Sequence, residues 1–188
     1  MQEYTIGDPN LPKVDIGPII NKNSKDRLLA HISALKKSAR RTIEHHHRQN
    51  KGDLFITPIV FEIDSINQID EENFGPILHF IRYKNENLQQ VIDEINNTGY
   101  GLTMGVHSRI VSKARRIFEA ANVGNFYFNR DIVGAVVGVQ PFGGQGLSGT
   151  GPKAGGPGYL YNFVTEKTYT DNVMATGGNI ELLNKNAM

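Results

Sequence analysis

Residues 77–129 decide the fold of this chain, and they read ILHFIRYKNENLQQVIDEINNTGYGLTMGVHSRIVSKARRIFEAANVGNFYFN. Three apolar runs predict strands, at residues 77–83, 102–107 and 125–129. The segments between these runs repeat their apolar residues at helical spacing, and they end at Gly99 and Gly124. Strand, helix, strand, helix, strand with short joints predicts an α/β domain with a parallel sheet. In such sheets, ligands bind beyond the carboxyl ends of the strands.

The residues before this unit predict a loop, one helix and one strand. Gly-Asp-Pro at 7–9 and Gly-Pro at 17–18 are typical of turns. Ser24 is a candidate N-cap, because the residues after it place apolar side chains at helical spacing. Those side chains are Leu28, Leu29, Ile32 and Leu35. Residues 54–63 are rich in strand formers, and Pro58 among them indicates an edge position or a break.

The segment after the last predicted strand, residues 130–158, is rich in glycine and poor in charge. Ten of the 20 glycines lie between Gly134 and Gly158, and no charged residue stands between Ile132 and Pro152. The segment is too long for a simple turn and too apolar for a flexible linker. An ordered loop of this kind, at the carboxyl edge of a sheet, is a candidate functional site. After it, residues 159–169 alternate in the manner of a strand, and residues 176–188 form a polar tail.

Composition and charge exclude several classes of protein. Of the 188 residues, 39% are hydrophobic, which favours a folded core over a disordered segment. Twenty Lys and Arg against nineteen Asp and Glu leave a net charge of +1, too balanced for binding nucleic acid or a membrane surface by bulk charge. The sequence contains no apolar run of about 18 residues, so no transmembrane segment is predicted. The first ten residues lack the basic and apolar regions of a signal peptide.

The side chains that most often bind metals or act as nucleophiles give little signal. The chain has no cysteine, so its own residues supply no disulfide and no catalytic thiol. His45, His46 and His47 are consecutive, and their side chains diverge on a helix or a strand, so we expect no metal site there. The other three histidines are isolated in the sequence: His31, His79 and His107. We expect those in predicted strands, His79 and His107, to be packed or hydrogen-bonded rather than catalytic.

Residues 144–149, Gly-Gln-Gly-Leu-Ser-Gly, match the pattern G-x-G-x-x-G of dinucleotide-binding loops. That pattern works because its last glycine opens a helix whose N-terminus holds the pyrophosphate. Here Thr-Gly-Pro-Lys-Ala-Gly-Gly-Pro follows at 150–157, which does not favour a helix. We therefore reject a Rossmann fingerprint. A Walker loop is rejected too, because no Gly-Lys-Ser/Thr follows.

A short acidic and aromatic motif, Glu71-Glu72-Asn73-Phe74-Gly75-Pro76, stands just before the first strand of the regular unit. Taken alone, it is typical of a turn with a solvated pair of acids. A carboxylate and an aromatic ring two residues apart could instead hold a ribose and a flat ring. The motif alone leaves both readings open.

Several motifs, in their order and spacing, resemble those of the C-terminal half of aldehyde dehydrogenases. They are Glu72-x-Phe74-Gly75-Pro76, Tyr100-Gly101-Leu102, Gly124-Asn125 with Asn129-Arg130, Pro141-Phe142-Gly143-Gly144 and Ser148-Gly149. Residues 133–144 and 147–157 are similar, more narrowly, to 1-pyrroline-5-carboxylate dehydrogenases. They look most like that domain of the bifunctional bacterial proline utilization A proteins, and residues 165–168 and 177–179 agree with this subtype.

The resemblance implies a fold and a reaction. The fold would be an incomplete α/β, parallel-sheet catalytic domain of the aldehyde dehydrogenase type. Residues 1–158 would be its C-terminal portion, and residues 159–188 an oligomerisation-type return strand with a polar tail. The reaction would be the NAD-dependent oxidation of L-glutamate γ-semialdehyde to L-glutamate in proline catabolism, through a cysteine thiolate and an acyl-enzyme. FAD would belong to a proline dehydrogenase domain outside this chain.

The resemblance also implies roles for five residues. Glu72 would bind the nicotinamide-ribose hydroxyls, and Phe74 would pack beside the nicotinamide. Gly134 and Ala135 would anchor the substrate's α-carboxylate through backbone N–H groups, which need no cation. Phe142 would cover the substrate's methylenes. The alternative is that these glycines only permit tight packing and that Phe142 is a core residue; we adopt the packing interpretation for Gly143, Gly144 and Gly149.

In this family the nucleophilic cysteine, the general-base glutamate, the oxyanion asparagine and the Rossmann-type domain all precede the matched region. We therefore expect a fragment that has no dehydrogenase activity and little NAD affinity of its own. The resemblance implies a cytoplasmic bacterial parent, compatible with a peripheral position at the membrane, that forms a homo-oligomer and does not bind nucleic acid through this segment. Two alternatives remain open: a non-catalytic module that binds a carboxylate or phosphate through residues 134–158, and an assembly element that pairs a strand at 159–169 with a partner.

Overall fold

The computed structural model describes residues 3–44 and 52–172. The helices are α1 (Lys22–Ser38), α2 (Leu88–Asn97) and α3 (Val111–Ala120). The strands are β1 (Arg41–Glu44), β2 (Ile59–Glu62), β3 (Ile77–Phe80), β4 (Tyr100–Gly101), β5 (Thr103–Val106), β6 (Asn125–Phe128) and β7 (Gln145–Gly146). Short 3-10 helices lie at Ile66–Gln68, Asn85–Asn87 and Tyr159–Phe163. The three consecutive histidines at 45–47 and the polar tail at 176–188 lie outside the described residues.

The alternation of strands and helices predicted for residues 77–129 is confirmed. The amphipathic helix α2 buries Leu88 and Ile92, and α3 buries Ala114 and Ile117. Gly99 follows α2 with a φ of 75°, a left-handed conformation that favours glycine and stops the helix. Strands β5 and β6 are parallel, and the chain crosses between them through α3.

The described strands form three sheets, whereas the order of elements predicts a single parallel sheet. Strand β3 pairs in parallel with β2 rather than with β5, and β2 also pairs antiparallel with β1. Strands β5 and β6 form a separate parallel pair, and β4 and β7 form an antiparallel one. The reason is that apolar periodicity identifies a segment as a strand without specifying its neighbour. The α/β class with parallel strands is correct, but the sheets are mixed and partial.

Two apolar cores hold these elements together. The first joins α1 to β2 and its flanks through Leu28, Ile32, Leu35, Ile56, Ile59, Phe61 and Ile63. The second joins α2 and α3 to β5 and β6 through Leu88, Ile92 and Ile117, with Met104, Val106, Ala120 and Phe126 packed against them. The β2–β3 pair is therefore covered by α1, and the β5–β6 pair by α2 and α3. No helix in the described part of the chain is long and apolar enough to cross a membrane.

The start of α1 differs from the prediction, whereas the start of β2 agrees with it. The N-cap of α1 is Asn21 rather than Ser24, and its side-chain oxygen accepts a hydrogen bond from the Ser24 N–H at 2.8 Å. The helix begins three residues early because Asn21 provides an equally good cap. Strand β2 begins at Ile59, directly after Pro58, so the predicted break at this proline is confirmed.

The return strand predicted over residues 159–169 is not formed within the described residues, and its pairing with a partner chain stays a prediction. Tyr159–Phe163 is a 3-10 helix, and residues 164–172 belong to no strand. The N–H of Tyr159 donates to the Gly156 carbonyl at 3.1 Å, so local turns replace sheet hydrogen bonds here. Alternation of side chains shows that a strand is possible, but a strand also needs a neighbour, and the described residues supply none. The division of the chain at residue 158 stays a prediction.

Candidate functional site

Glu72 and Phe74 lie on the loop that leads into β3. The Gly75 N–H donates to the Asn73 carbonyl at 2.9 Å, and the Ile77 N–H donates to the Gly75 carbonyl at 2.8 Å. A Cβ on Gly75 would stand 2.7 Å from a methyl carbon of the buried Leu28 side chain, so the loop packs directly against α1. The loop is therefore fixed on its inner side, while the Phe74 ring stands 79% exposed on its outer side.

Two grooves meet at this loop. One, of about 420 Å³, runs along the start of α1, and its lining includes Arg27, Glu72 and Phe74. The other, of about 810 Å³, runs toward β4, and its lining includes Glu72, Phe74, Tyr100 and Ser148. The Glu72 carboxylate makes no hydrogen bond or ion pair with any described residue. A free carboxylate and an open ring face thus border a groove of the size that small ligands occupy.

The backbone of residues 141–149 packs closely on itself. A Cβ on Gly144 would lie 2.5 Å from the Ser148 carbonyl oxygen, and one on Gly149 would lie 2.4 Å from the Gly144 carbonyl oxygen. For these two glycines the packing interpretation is confirmed. At Gly143 the nearest atom to such a Cβ is the Lys153 Cα at 3.3 Å, which also indicates tight packing.

Lys153 and Asn125 fasten this segment to β6, and sequence reasoning missed both. The Lys153 ammonium donates to the carbonyls of Gly143, at 2.8 Å, and of Gly124. The Asn125 side chain accepts from the Gly143 N–H at 3.1 Å and donates to the Pro141 carbonyl at 2.9 Å. A signal was present in the sequence, because Lys153 is the first charged residue after a long uncharged run. Only the folded structure shows which carbonyl groups accept hydrogen bonds from the Lys153 ammonium.

The turn at Gly134 and Ala135 leaves two backbone donors open. Gly134 has a φ of 64°, and no atom lies within 4 Å of the position that its Cβ would take. The conformation, rather than any lack of space, therefore calls for glycine. Neither the Gly134 N–H nor the Ala135 N–H donates to another described residue. Neighbouring N–H groups beside a left-handed residue form a concave site that suits an anion.

Phe142 is half-buried and belongs to neither apolar core. Its N–H and carbonyl exchange hydrogen bonds with the carbonyl and N–H of Ala154, both at 3.0 Å. This bridge holds the backbone at Phe142 in place while part of the ring remains accessible. The role predicted for the Phe142 ring, covering the substrate's methylenes, stays a prediction.

The candidate residues thus fall into two groups. Glu72 and Phe74 come together at the two grooves, as their spacing suggests. Gly134, Ala135 and Phe142 lie on the glycine-rich loop and are absent from the lining of both grooves. The described residues therefore present two separate half-sites, one with acceptors and a ring, the other with backbone donors.

Two histidines, His31 and His79, form a pair that the sequence did not reveal. The Nε2 atoms of His31 and His79 lie 2.9 Å apart, so one imidazole donates and the other accepts. Burial lowers the pKa of His31, although Asp70 and Glu71 act in the opposite direction. Burial also lowers the pKa of His79, and His31 adds to the effect. Both shifts favour neutral rings, and the hydrogen bond between the two rings requires the accepting ring to be unprotonated at Nε2.

The expectation of a hydrogen-bonded residue is confirmed for His79, whose ring also stacks on Phe61 with 6.3 Å between centroids. It is wrong for His107, which is exposed and makes no hydrogen bond with a described residue. The reason is that β5 ends at Val106, so His107 lies just beyond the strand in which it was predicted.

Comparisons with known proteins agree on one family. The sequence profile described as "Aldehyde dehydrogenase family" matches residues 1–169. The "Bifunctional protein PutA" of Klebsiella aerogenes is 45% identical over 174 residues, which cover 89% of this chain and 13% of that protein. A crystal structure of a Bradyrhizobium japonicum proline utilization A mutant is 51% identical, with a TM-score of 0.81, over 94% of this chain and 18% of that one. The 1-pyrroline-5-carboxylate dehydrogenase from Thermus with bound NAD is 39% identical, with a TM-score of 0.71, over 85% of this chain and 31% of that one.

Proposed function

The chain belongs to the aldehyde dehydrogenase family, and from this premise we propose that it forms the substrate- and cofactor-positioning part of an NAD-dependent dehydrogenase. That enzyme, called the complete enzyme below, oxidises L-glutamate γ-semialdehyde to L-glutamate in proline catabolism. The similarity to PutA and to 1-pyrroline-5-carboxylate dehydrogenases supports this substrate. The chain spans between an eighth and a third of the length of these relatives, so the remaining parts of the catalytic machinery are proposed to lie outside it.

The observation that carries this proposal is the open pair of N–H groups at Gly134 and Ala135. A carboxylate accepts hydrogen bonds from two such donors at once, and hydrogen bonds to a charged acceptor are stronger than neutral ones. No charged residue stands between Ile132 and Pro152, so the donors that the turn itself offers to an anion are backbone N–H groups. The half-exposed ring of Phe142, on the same loop, would cover the methylenes between the carboxylate and the aldehyde.

The second half-site suits the cofactor. NAD, when bound, would supply the acceptor for the hydride. The free carboxylate of Glu72 would accept hydrogen bonds from ribose hydroxyls, and the exposed face of Phe74 would pack against a flat ring. Holding the acceptor in place matters because small errors in the position of reacting groups cost rate.

The test compares an acidic aldehyde with a neutral one in the complete enzyme. Ala135→Pro removes one N–H of the proposed anchor. We expect the KM for L-glutamate γ-semialdehyde to rise about ten-fold, the size of one hydrogen bond to a charged group, while the KM for pentanal stays within about two-fold. Pentanal has the same number of carbons and no carboxylate.

The contradicting outcome is an equal change for both aldehydes, which indicates general misfolding, or no change for either. Thermal unfolding of the variant distinguishes these cases. An Ala154→Gly variant serves as the control, because Ala154 lies on the same loop and its N–H is already paired with the Phe142 carbonyl.

A further inference from the structure

The Gly134–Ala135 turn is held on both sides by side chains that no part of the proposal above uses. We infer that Tyr127, Arg130 and Gln140 are positioning residues that keep the two N–H groups of this turn open and aligned for a carboxylate. They would thereby set the preference of the enzyme for aldehydes that carry an acid group. This inference rests on the proposed function.

Tyr127 ties the turn to the sheet. Its hydroxyl donates to the Gly134 carbonyl at 2.6 Å. The residue is 6% exposed and lies on β6, where it stands opposite Gly105 of β5. A buried tyrosine on a paired strand has few rotamers open to it, so the Gly134 carbonyl oxygen is fixed in space.

Gln140 holds the other side of the turn. Its side-chain oxygen accepts a hydrogen bond from the Val136 N–H at 2.9 Å. A backbone hydrogen bond joins the same two residues, because the Gln140 N–H donates to the Val136 carbonyl at 2.9 Å. Both the N–H and the carbonyl of Val136 are thus satisfied within the loop, and the open donors before it are those of Gly134 and Ala135.

Arg130 connects these two supports. Its guanidinium lies over the Tyr127 ring, 4.4 Å from the centroid, and its Nη1 donates to the Gln140 side chain at 3.3 Å. The remaining hydrogen bonds of the guanidinium go to Asp131, through Nε at 3.1 Å and Nη2 at 3.3 Å. Each side-chain nitrogen of Arg130 makes one of these contacts, and through them the guanidinium orients Tyr127 and Gln140.

The consequence is a turn whose donors are set before any ligand arrives. The Gly134 carbonyl is fixed on one side of Ala135, and Val136 is fixed on the other. Ligands bind more tightly to groups that are already ordered, because no freedom is lost in arranging them. Loosening either support should weaken binding of the carboxylate and leave the chemistry at the aldehyde unchanged.

The experiment deletes one hydroxyl and measures selectivity in the complete enzyme. Tyr127→Phe keeps the ring, its burial and the Arg130 contact, and removes the hydrogen bond to Gly134. We expect the KM for L-glutamate γ-semialdehyde to rise about three- to ten-fold, with kcat within two-fold and the KM for pentanal unchanged. The control is Tyr161→Phe, because the Tyr161 hydroxyl makes no hydrogen bond with a described residue.

A second variant, Gln140→Met, keeps the length of the side chain and removes the acceptor for Val136 and Arg130. We expect the same selective rise in KM. Because both side chains act on one turn, the rise in the double variant should be smaller than the product of the two single rises. If one single variant fails to fold, the selective rise in KM in the other single variant tests the inference by itself.

The outcomes separate this inference from the proposed function. If Tyr127→Phe and Gln140→Met behave like Tyr161→Phe while Ala135→Pro remains selective, the carboxylate anchor stands and the positioning role is refuted. If Ala135→Pro also shows no selectivity, the proposed function fails. A loss of kcat for both aldehydes to the same degree would make Tyr127 and Gln140 general structural residues, which also refutes the inference.

Discussion

At the scale of single residues, the two half-sites use opposite chemistry. Glu72 offers acceptors beside an exposed ring, whereas Gly134 and Ala135 offer backbone donors in a stretch that has no charged residue between Ile132 and Pro152. A dehydrogenase that must hold a ribose and a carboxylate at the same time needs both kinds of group. Each half-site is also attached to a different core, the first through Leu28 and the second through β6.

The first prediction concerns Glu72. In the complete enzyme, Glu72→Ala should lower kcat/KM for NAD by about ten- to a hundred-fold, because hydrogen bonds to a charged acceptor contribute about 1.5–3 kcal/mol. Steady-state kinetics with varied NAD measures this. Asp93→Ala, an exposed acid on α2, is the control. Unchanged kinetics in Glu72→Ala would refute the ribose role.

The sequence could associate residues that lie close together in one motif, and it missed contacts that the fold makes between distant residues. Glu72 and Phe74 stand two apart, so their shared surface follows from the chain itself. Tyr127 and Gly134 are also close in sequence, but nothing in their spacing shows that a hydroxyl reaches a carbonyl. The pairing of His31 with His79 depends on where α1 packs against β3, which no local pattern reveals.

The second prediction concerns that histidine pair and pH. The folded-state pKa of each ring is lowered, so the unfolded chain binds protons more readily as the pH falls below about 6.5. The stabilisation from the pair is therefore present above that pH and is lost as the pH falls through the folded-state values. Urea unfolding should show a smaller loss of stability between neutral and mildly acidic pH in His79→Phe than in the unaltered chain.

The control for this prediction is His107→Gln, which changes an exposed histidine outside the pair. Its stability should follow the unaltered chain over the same pH range. An identical pH dependence in His79→Phe and the unaltered chain would contradict the linkage.

At the scale of secondary-structure elements, the apolar periodicity located α2 and α3 but could not assign neighbours to strands. Strand β3 was expected in one parallel sheet with β5 and β6, and it pairs with β2 instead. Residues 159–169 alternate like a strand and form a 3-10 helix with an exposed continuation. Strand pairing depends on contacts between distant segments, so alternation within one segment cannot decide it.

The third prediction concerns the packing of α2. Ile92 is 2% exposed and belongs to the second core, so Ile92→Ala should lower the free energy of unfolding by about 2–5 kcal/mol. Urea denaturation followed by circular dichroism measures this. Leu160→Ala, at a position 74% exposed, should change the free energy of unfolding by less than about 0.5 kcal/mol. Equal effects of the two substitutions would contradict the assignment of this core.

At the scale of the whole molecule, the chain carries the two proposed half-sites and no thiol. Cysteine is absent from all 188 residues, while the chemistry proposed for the complete enzyme requires a thiolate. The motifs gave the family correctly from the sequence, because they are spread in order along nearly the whole chain. How the two half-sites are oriented toward each other in the complete enzyme was not predictable, since it depends on parts that the chain does not carry.

The fourth prediction follows from that absence. The purified chain, mixed with L-glutamate γ-semialdehyde and NAD, should form no NADH above the rate of a sample without protein. The control is a complete enzyme of the same family under identical conditions. Robust turnover by the chain alone would show that its nucleophile is not a thiol and would overturn the proposed division of roles.

The central claim is that the Gly134–Ala135 turn binds an α-carboxylate through its backbone. The most direct measurement is an NMR titration of the isotope-labelled chain with L-norvaline, which keeps the α-carboxylate and the five-carbon skeleton, and with butylamine, which lacks the carboxylate. We predict that the amide resonances of Gly134 and Ala135 shift on adding L-norvaline and do not shift on adding butylamine. Equal responses to the two compounds, or shifts confined to the region around Glu72 and Phe74, would contradict the claim.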